Sequence, residues 1–160
     1  MFPILLANQA ETGAFVLFFA TAAALTISDL RDYRLPDRLL LPGMAGVAML
    51  LGVASGIGGS FMAFHRAVLL AGLSVALHLL LHLLHRTGLG FGDVKLAGLT
   101  GLLTGWVGYS AWLLGLVGSF AAAGGVALLL LATRGIGRTD PIAFGPWMLL
   151  AATAAIVNAW

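Results

Sequence analysis

The chain reads as an all-α membrane protein with six transmembrane helices, and three observations carry that reading. Hydrophobic residues make up 61% of its 160 residues, charged residues only 9%, and the mean hydropathy is +1.05. A soluble domain carries about 25% charged residues, so a surface this poor in charge has lipid as its main solvent. The charges also fall in short clusters between apolar stretches, and residues 96–133 contain none. Finally, a helix crossing the hydrocarbon core needs about 20 mostly apolar residues, and the intervals between clusters have roughly that length. A chain of 160 residues is one domain, with no room for a large soluble module.

Taken in order, spans are expected at about residues 13–28, 39–57, 66–86, 94–104, 108–133 and 142–160. The first ends at a polar cluster running from Asp29 through Arg31, Asp32, Arg34 and Asp37 to Arg38. The second starts after Pro36 and Asp37 and stops at the glycines 56, 58 and 59. The third lies between Arg66 and Arg86. At about 1.5 Å per residue the uncharged stretch 96–133 is too long for one crossing. Its turn is expected between Thr104 and Gly108, near Gly105. Residues 1–11 hold no Lys or Arg, and their apolar piece is too short for a signal-peptide core. They are expected as a lead-in to the first span, lying at the interface.

Six spans put Arg31, Arg34, Arg38, Arg86, Lys95, Arg134 and Arg138 on one side and leave Arg66 alone on the other. The bias of Lys and Arg toward cytoplasmic loops places the first group in the cytoplasm and both termini outside. The net charge of +2 and pI of about 9.7 come from these scattered residues, which form no basic face for nucleic acid. The chain has no cysteine, which excludes disulfides, a thiolate nucleophile and Cys-ligated zinc.

Two motifs carry chemistry. Gly88, Gly90 and Gly92 alternate ahead of Asp93, which opens an apolar helix followed closely by Lys95. Glycine admits close approach of another backbone, and an Asp at a helix N-terminus is favoured as an anion. On local physics alone, a flexible loop with an N-cap Asp explains this motif equally well. The spacing is not that of a dinucleotide-binding loop. In the second motif Asp29 stands tight against the first apolar run, ahead of Leu35, Pro36 and Asp37. An ionisable group at a span end is a functional candidate, whereas Asp32 and Asp37 read as solvated loop charge or partners of the neighbouring arginines. The expected topology sets Asp29 and Asp93 at one membrane depth. Lys95, two residues past Asp93, is off the face of that carboxylate and reads as an interface anchor first and a modulator of the aspartates second.

Together these motifs resemble the type IV prepilin peptidases, which stand with the preflagellin peptidases and presenilins among the GxGD aspartyl proteases. Gly90, Phe91, Gly92 and Asp93 match the GxGD signature, extended by Val94, Lys95 and Leu96 as in the prepilin enzymes. Asp29 with Leu35, Pro36 and Asp37 matches the first aspartate motif. Phe144, Gly145 and Pro146 resemble the Phe-Gly-Pro near the last span, with Ala143 where the family usually has Pro. The resemblance runs from about residue 22 to 155. It implies a GxGD-type intramembrane protease fold with Asp29 and Asp93 catalytic and no cofactor. Gly90, Gly92, Lys95, Pro36, Asp37, Gly145 and Pro146 would shape the loops or bind substrate. The implied substrate is a single-span prepilin or pseudopilin of a type IV pilus or protein-secretion system, cut at the cytoplasmic face of the bacterial inner membrane. Larger members carry an N-terminal region with cysteines linked to N-methylation. This sequence looks like the peptidase half alone, without methyl transfer.

His78, His82 and His85 share one helix face. Interhelical hydrogen bonds explain them better than a metal, since no carboxylate lies on that span. Trp106, Trp112 and Trp160 read as interfacial belt residues, with Trp147 just inside the last span. Gly98, Gly101, Gly105, Gly115, Gly118, Gly124 and Gly125 are expected to let helices approach closely. Two other functions fit the composition: an ion- or proton-coupled transporter using the same carboxylates as a relay, and a non-catalytic assembly subunit whose charges only set topology.

Overall fold

The computed structural model describes residues 2–32, 35–84, 89–132 and 144–159. These form six α-helices: α1 (Phe2–Asp32), α2 (Asp37–Gly58), α3 (Phe61–Leu84), α4 (Phe91–Val107), α5 (Tyr109–Ala132) and α6 (Gly145–Val157). Four of them, α1, α2, α3 and α5, are long and apolar enough to cross a membrane, so the chain is a multi-pass membrane protein. With 17 and 13 residues, α4 and α6 are shorter.

The organising element is α4. It touches all five other helices, and α3 packs along it most extensively. From Asp93 to Trp106 every residue except Lys95 is buried. Its sequence allows this because one side is almost without side chains. A Cβ on Gly101 would stand 2.6 Å from Ser74 Oγ and 3.0 Å from the Ala71 Cα, and one on Gly105 would stand 3.1 Å from the Ala67 Cα. The helix backbones of α3 and α4 therefore touch, the arrangement that small residues permit in lipid. Thr100 and Thr104 turn their hydroxyls back onto the carbonyls of Leu96 and Thr100, so neither brings an unsatisfied donor into the interior. Gly101→Ala is expected to lower thermal stability by about 1–3 kcal/mol, because the new methyl meets backbone that has to move. A thermal melt in detergent checks this.

The other pairings are α1 on α2 and α5 on α6, with α1 also reaching α6. In the α5–α6 seam a Cβ on Gly115 would meet Thr104 Cγ2 at 3.3 Å and the Ala152 Cα at 3.5 Å. Gly118 faces Ala151 in the same seam. Gly124 and Gly125 do not behave as expected. Among the described residues no neighbouring helix comes within 4 Å of where their Cβ atoms would be.

Several boundaries differ from the sequence reading. α1 begins at Phe2, so the expected interfacial lead-in is the first part of a 31-residue helix. Two polar residues of that first part are satisfied in place: Thr12 donates to the Asn8 carbonyl, and Glu11 accepts a 2.8 Å hydrogen bond from Trp106 Nε1. That bond also corrects the reading of Trp106, which is buried and ties α4 to α1 rather than sitting in an interfacial belt. Trp112 is likewise bonded inside the bundle, donating to Ser74 Oγ at 2.8 Å. α3 starts at Phe61, so Arg66 lies within the helix rather than ahead of it. Its guanidinium reaches the end of α4, where Nε donates to the Gly105 carbonyl at 2.8 Å and Nη2 to the Trp106 carbonyl at 2.5 Å. A cation on the last carbonyls of a helix offsets both their missing partners and the helix dipole. This cap carries α4 past the expected break at Gly105 to Val107, and the chain turns at Gly108.

His78 Nδ1 donates to the Ser74 carbonyl of its own helix, and the ring stacks on Phe120 of α5. His82 bonds the Leu89 carbonyl just ahead of α4. Neither hydrogen bond runs from helix to helix, since one stays within α3 and the other ends on the lead-in to α4, while the ring contacts of His78 with Phe120 and of His82 with Phe91 do join α3 to α5 and α4. Arg34, His85, Arg86, Arg134, Arg138 and Trp160, with the side chain of Asp32, lie outside the described residues.

Candidate active site

At the end of the bundle where α1 finishes and α2, α4 and α6 begin, a cleft of about 1080 Å³ opens. α1 supplies Ser28 and Asp29, the link to α2 supplies Leu35 and Pro36, α2 supplies Asp37 and Arg38, and α4 with its lead-in supplies Gly90, Phe91, Gly92, Asp93 and Lys95. Asp29 and Asp93 thus come from different helices onto one wall. Their residues are only 6% and 8% exposed, so both are buried yet open on the cleft.

Each aspartate is held by backbone. Asp93 sits in the first turn of α4, where its N–H donates to the Gly90 carbonyl and its Oδ2 accepts from the Gly90 N–H, both at 3.1 Å. This reciprocal cap needs Gly90 extended at the helix start, as it is, with φ −69° and ψ 147°. Asp93 lies outside the four helices that are long and apolar enough to cross a membrane. Burial first, and the negative charge of Asp29 second, push its carboxyl up to about 6, against the Gly90 N–H that favours the anion. Asp29 lies against the N-terminus of α6. A Cβ on Gly145 would stand 2.7 Å from Asp29 Oδ2 and 3.4 Å from Cγ. Asp29 Oδ2 has no hydrogen-bond partner among the described residues.

The remaining predicted residues divide by role. Pro36 is the extended N-cap residue of α2, which sets the angle at which Asp37 enters the helix. Asp37 reaches a partner on another helix. It accepts from Lys95 Nζ at 2.7 and 2.8 Å across the cleft mouth. Lys95 is therefore a strut between α2 and α4, half-exposed and passing over the Phe91 ring, rather than an interface anchor. Such an exposed pair is worth about 0–1 kcal/mol, so it aligns more than it stabilises. Gly145 touches Asp29, whereas Pro146 is buried at the start of α6 and is absent from the cleft wall. Among the described residues no three His, Asp or Glu side chains cluster as metal ligands would.

Sequence reasoning assigned Leu35 no role, although the signal was there in its place beside Pro36 and Asp37. In the structure its side chain lies on Gly92 and reaches toward Gly145. Ser28, Arg38 and Phe91 also line the cleft without having been singled out.

Comparison with known proteins places this geometry. Residues 16–127 match the Type IV leader peptidase family, a span that contains both aspartates. The chain is 32% identical over 141 residues to a prepilin leader peptidase/N-methyltransferase of Escherichia coli (strain K12), covering 87% of the chain and 60% of that protein. Proteins of the same name from Aeromonas hydrophila (35% over 153 residues) and Pectobacterium carotovorum subsp. carotovorum (31% over 156 residues) each cover 91% of the chain, with 49% and 50% of their own lengths matched. The chain thus spans about half the length of the curated relatives it matches. No solved structure matches it. With most of its length inside the family's signature region and both aspartates on one cleft, the chain belongs to the Type IV leader peptidase family.

Proposed function

We propose that the protein is an aspartic endopeptidase that removes the leader peptide of type IV prepilins or related pseudopilins, with Asp29 and Asp93 as its catalytic pair. The observation that carries this is the convergence of two buried carboxylates from α1 and α4 on a single open cleft. Two carboxylates close enough to repel do not both ionise easily, so over the pH range between their two titrations the pair holds one proton. The ionised member takes a proton from a water, whose oxygen attacks the scissile carbonyl carbon, while the protonated member donates to the carbonyl oxygen. Collapse of the tetrahedral intermediate breaks the C–N bond, and the leaving amine takes up a proton from the pair. The glycine-lined backbone at Gly90 and Gly92 suits an extended substrate strand lying beside Asp93.

This reading puts the cleft at the cytoplasmic face of a bacterial inner membrane, and the basic residues at its end of the bundle support it. Arg31, Arg38 and Lys95 are there, while Arg66 lies at the far end of α4. In this reading α4 and α6 complete a six-span bundle, and the substrate is a single-span precursor entering from the lipid. A transporter relay favours carboxylates near midspan, whereas Asp29 stands close to the end of α1 and Asp93 in the first turn of α4. The test is cleavage of a purified type IV prepilin by the purified protein in liposomes. Wild type should shorten the precursor by its leader, and Asp29→Asn and Asp93→Asn should not. An intact prepilin after incubation with wild type, or asparagine variants that cut as fast as wild type, overturns the proposal.

A further inference from the structure

One side chain touches the backbone supports of both aspartates, and it is apolar. Leu35 lies in the link between α1 and α2, half-buried against the core and on the cleft wall. A Cβ on Gly92, the residue before Asp93, would stand 3.1 Å from Leu35 Cβ, 3.2 Å from Cδ1 and 3.5 Å from Cγ. A Cβ on Gly145, whose backbone lies against Asp29, would stand 3.5 Å from Leu35 Cδ2. One methyl branch of the leucine therefore rests on the α4 side of the cleft and the other faces the α6 side. The two glycines present bare backbone to it, so the leucine fills the gap between the backbone that carries Asp93 and the backbone that backs Asp29.

From this contact geometry we infer that Leu35 is a positioning residue, a wedge that fixes the separation of the two aspartates. The inference rests on the proposed role of Asp29 and Asp93. Three features support it. The side chain is wholly apolar, so it contributes no proton transfer and no charge of its own. Its contacts are made to helix-start backbone, which moves as a unit with the helix it begins. And it is tethered by Pro36, the N-cap residue of α2, so the wedge is anchored to a third helix. Removing it would let α4 and α6 close by the width of two methyl groups at the point where the aspartates must stand at a fixed distance from one carbonyl.

The experiment is a kinetic cycle on prepilin cleavage in detergent, with thermal melts of each variant. A misplacement of about 1 Å at reacting groups costs on the order of 10²-fold in rate. Leu35→Ala should accordingly lower kcat by roughly 10- to 100-fold, with KM and the melting temperature little changed. Leu35→Met keeps the bulk and should restore most of kcat. Gly92→Ala alone should also lower kcat, because its methyl presses on the leucine. Combined with Leu35→Ala it partly refills the gap, so the double variant should retain more activity than the product of the two single losses. A rise in KM with kcat unchanged would make Leu35 a substrate contact and overturn the wedge. So would single losses that simply multiply, or a loss of kcat that only follows loss of thermal stability. Asp29→Asn and Asp93→Asn run in the same assay keep the two ideas separate. If they still cut, the catalytic assignment fails. If they do not cut and Leu35→Ala cuts normally, only the wedge fails.

Discussion

Replacing Asp29 or Asp93 by Asn is expected to lower kcat for prepilin cleavage by roughly a thousandfold or more, since each change removes a proton-transfer group that acts as a unit with its partner. Asparagine preserves shape, so the fold should be kept, and stability gives an independent reading of the same physics. Asp93 in the folded protein titrates near 6, above the ordinary carboxyl value of 3.8. The folded state then holds its proton more tightly than the unfolded state. The stability this provides is fully present below the ordinary value and is lost as pH rises through about 6. Above that pH the wild-type protein carries the full cost of a buried anion, and Asp93→Asn does not. The variant should therefore melt at or above the wild-type temperature at pH 7–8, roughly one to two units above the wild-type carboxyl, while being inactive. In wild type the activity should decline as pH rises past about 6, where the last proton of the pair leaves. A pH–rate profile with no descending limb on the alkaline side would be inconsistent with one shared proton.

Much of this arrangement was legible in the sequence. Charge spacing alone separates the helices, because in lipid each crossing must be apolar and each end is free to be charged. The glycines at 90 and 92 pointed to close approach of another backbone beside Asp93, whereas the structure sets the Leu35 side chain on Gly92 and the Asp93 carboxylate on Gly90. What was not legible depends on partners far away in the chain. Trp106 reads as an interfacial residue until Glu11 of α1 is brought to its indole nitrogen. Gly105 reads as a turn until Arg66 of α3 reaches over to bond its carbonyl. Lys95 reads as an anchor until Asp37 of α2 faces it. Hydropathy and local spacing describe one helix at a time, whereas each of these corrections is a polar side chain satisfied by a neighbouring helix. The same holds for Gly145. Its motif was noticed, but nothing in the sequence says that its backbone lies on Asp29.

That contact makes Gly145→Ala the most informative small change in the protein. Its added methyl would lie 2.7 Å from Asp29 Oδ2 and 3.4 Å from Cγ, too close to coexist with the carboxyl where it stands. The group that must move is the end of a short side chain, not backbone, so the energetic cost of relief is small. The functional cost is large, because the side chain that moves is the proposed catalytic one. Gly145→Ala is expected to lower kcat by about 10²-fold while leaving the melting temperature nearly unchanged. Gly101→Ala is the converse, since its methyl meets the Ala71 Cα, which has to shift with the helix, so stability falls first. Gly124→Ala completes the comparison. Among the described residues nothing outside its own helix lies within 4 Å of that Cβ position, and Ala is favoured over Gly inside a helix by about 1 kcal/mol, so neither activity nor stability should decrease. Cleavage rates and melts measured on these three single-methyl variants would separate a glycine that holds the site from one that holds the fold and one that holds neither. If Gly145→Ala loses stability in step with activity, the contact with Asp29 is part of general packing and the aspartate's placement is set elsewhere.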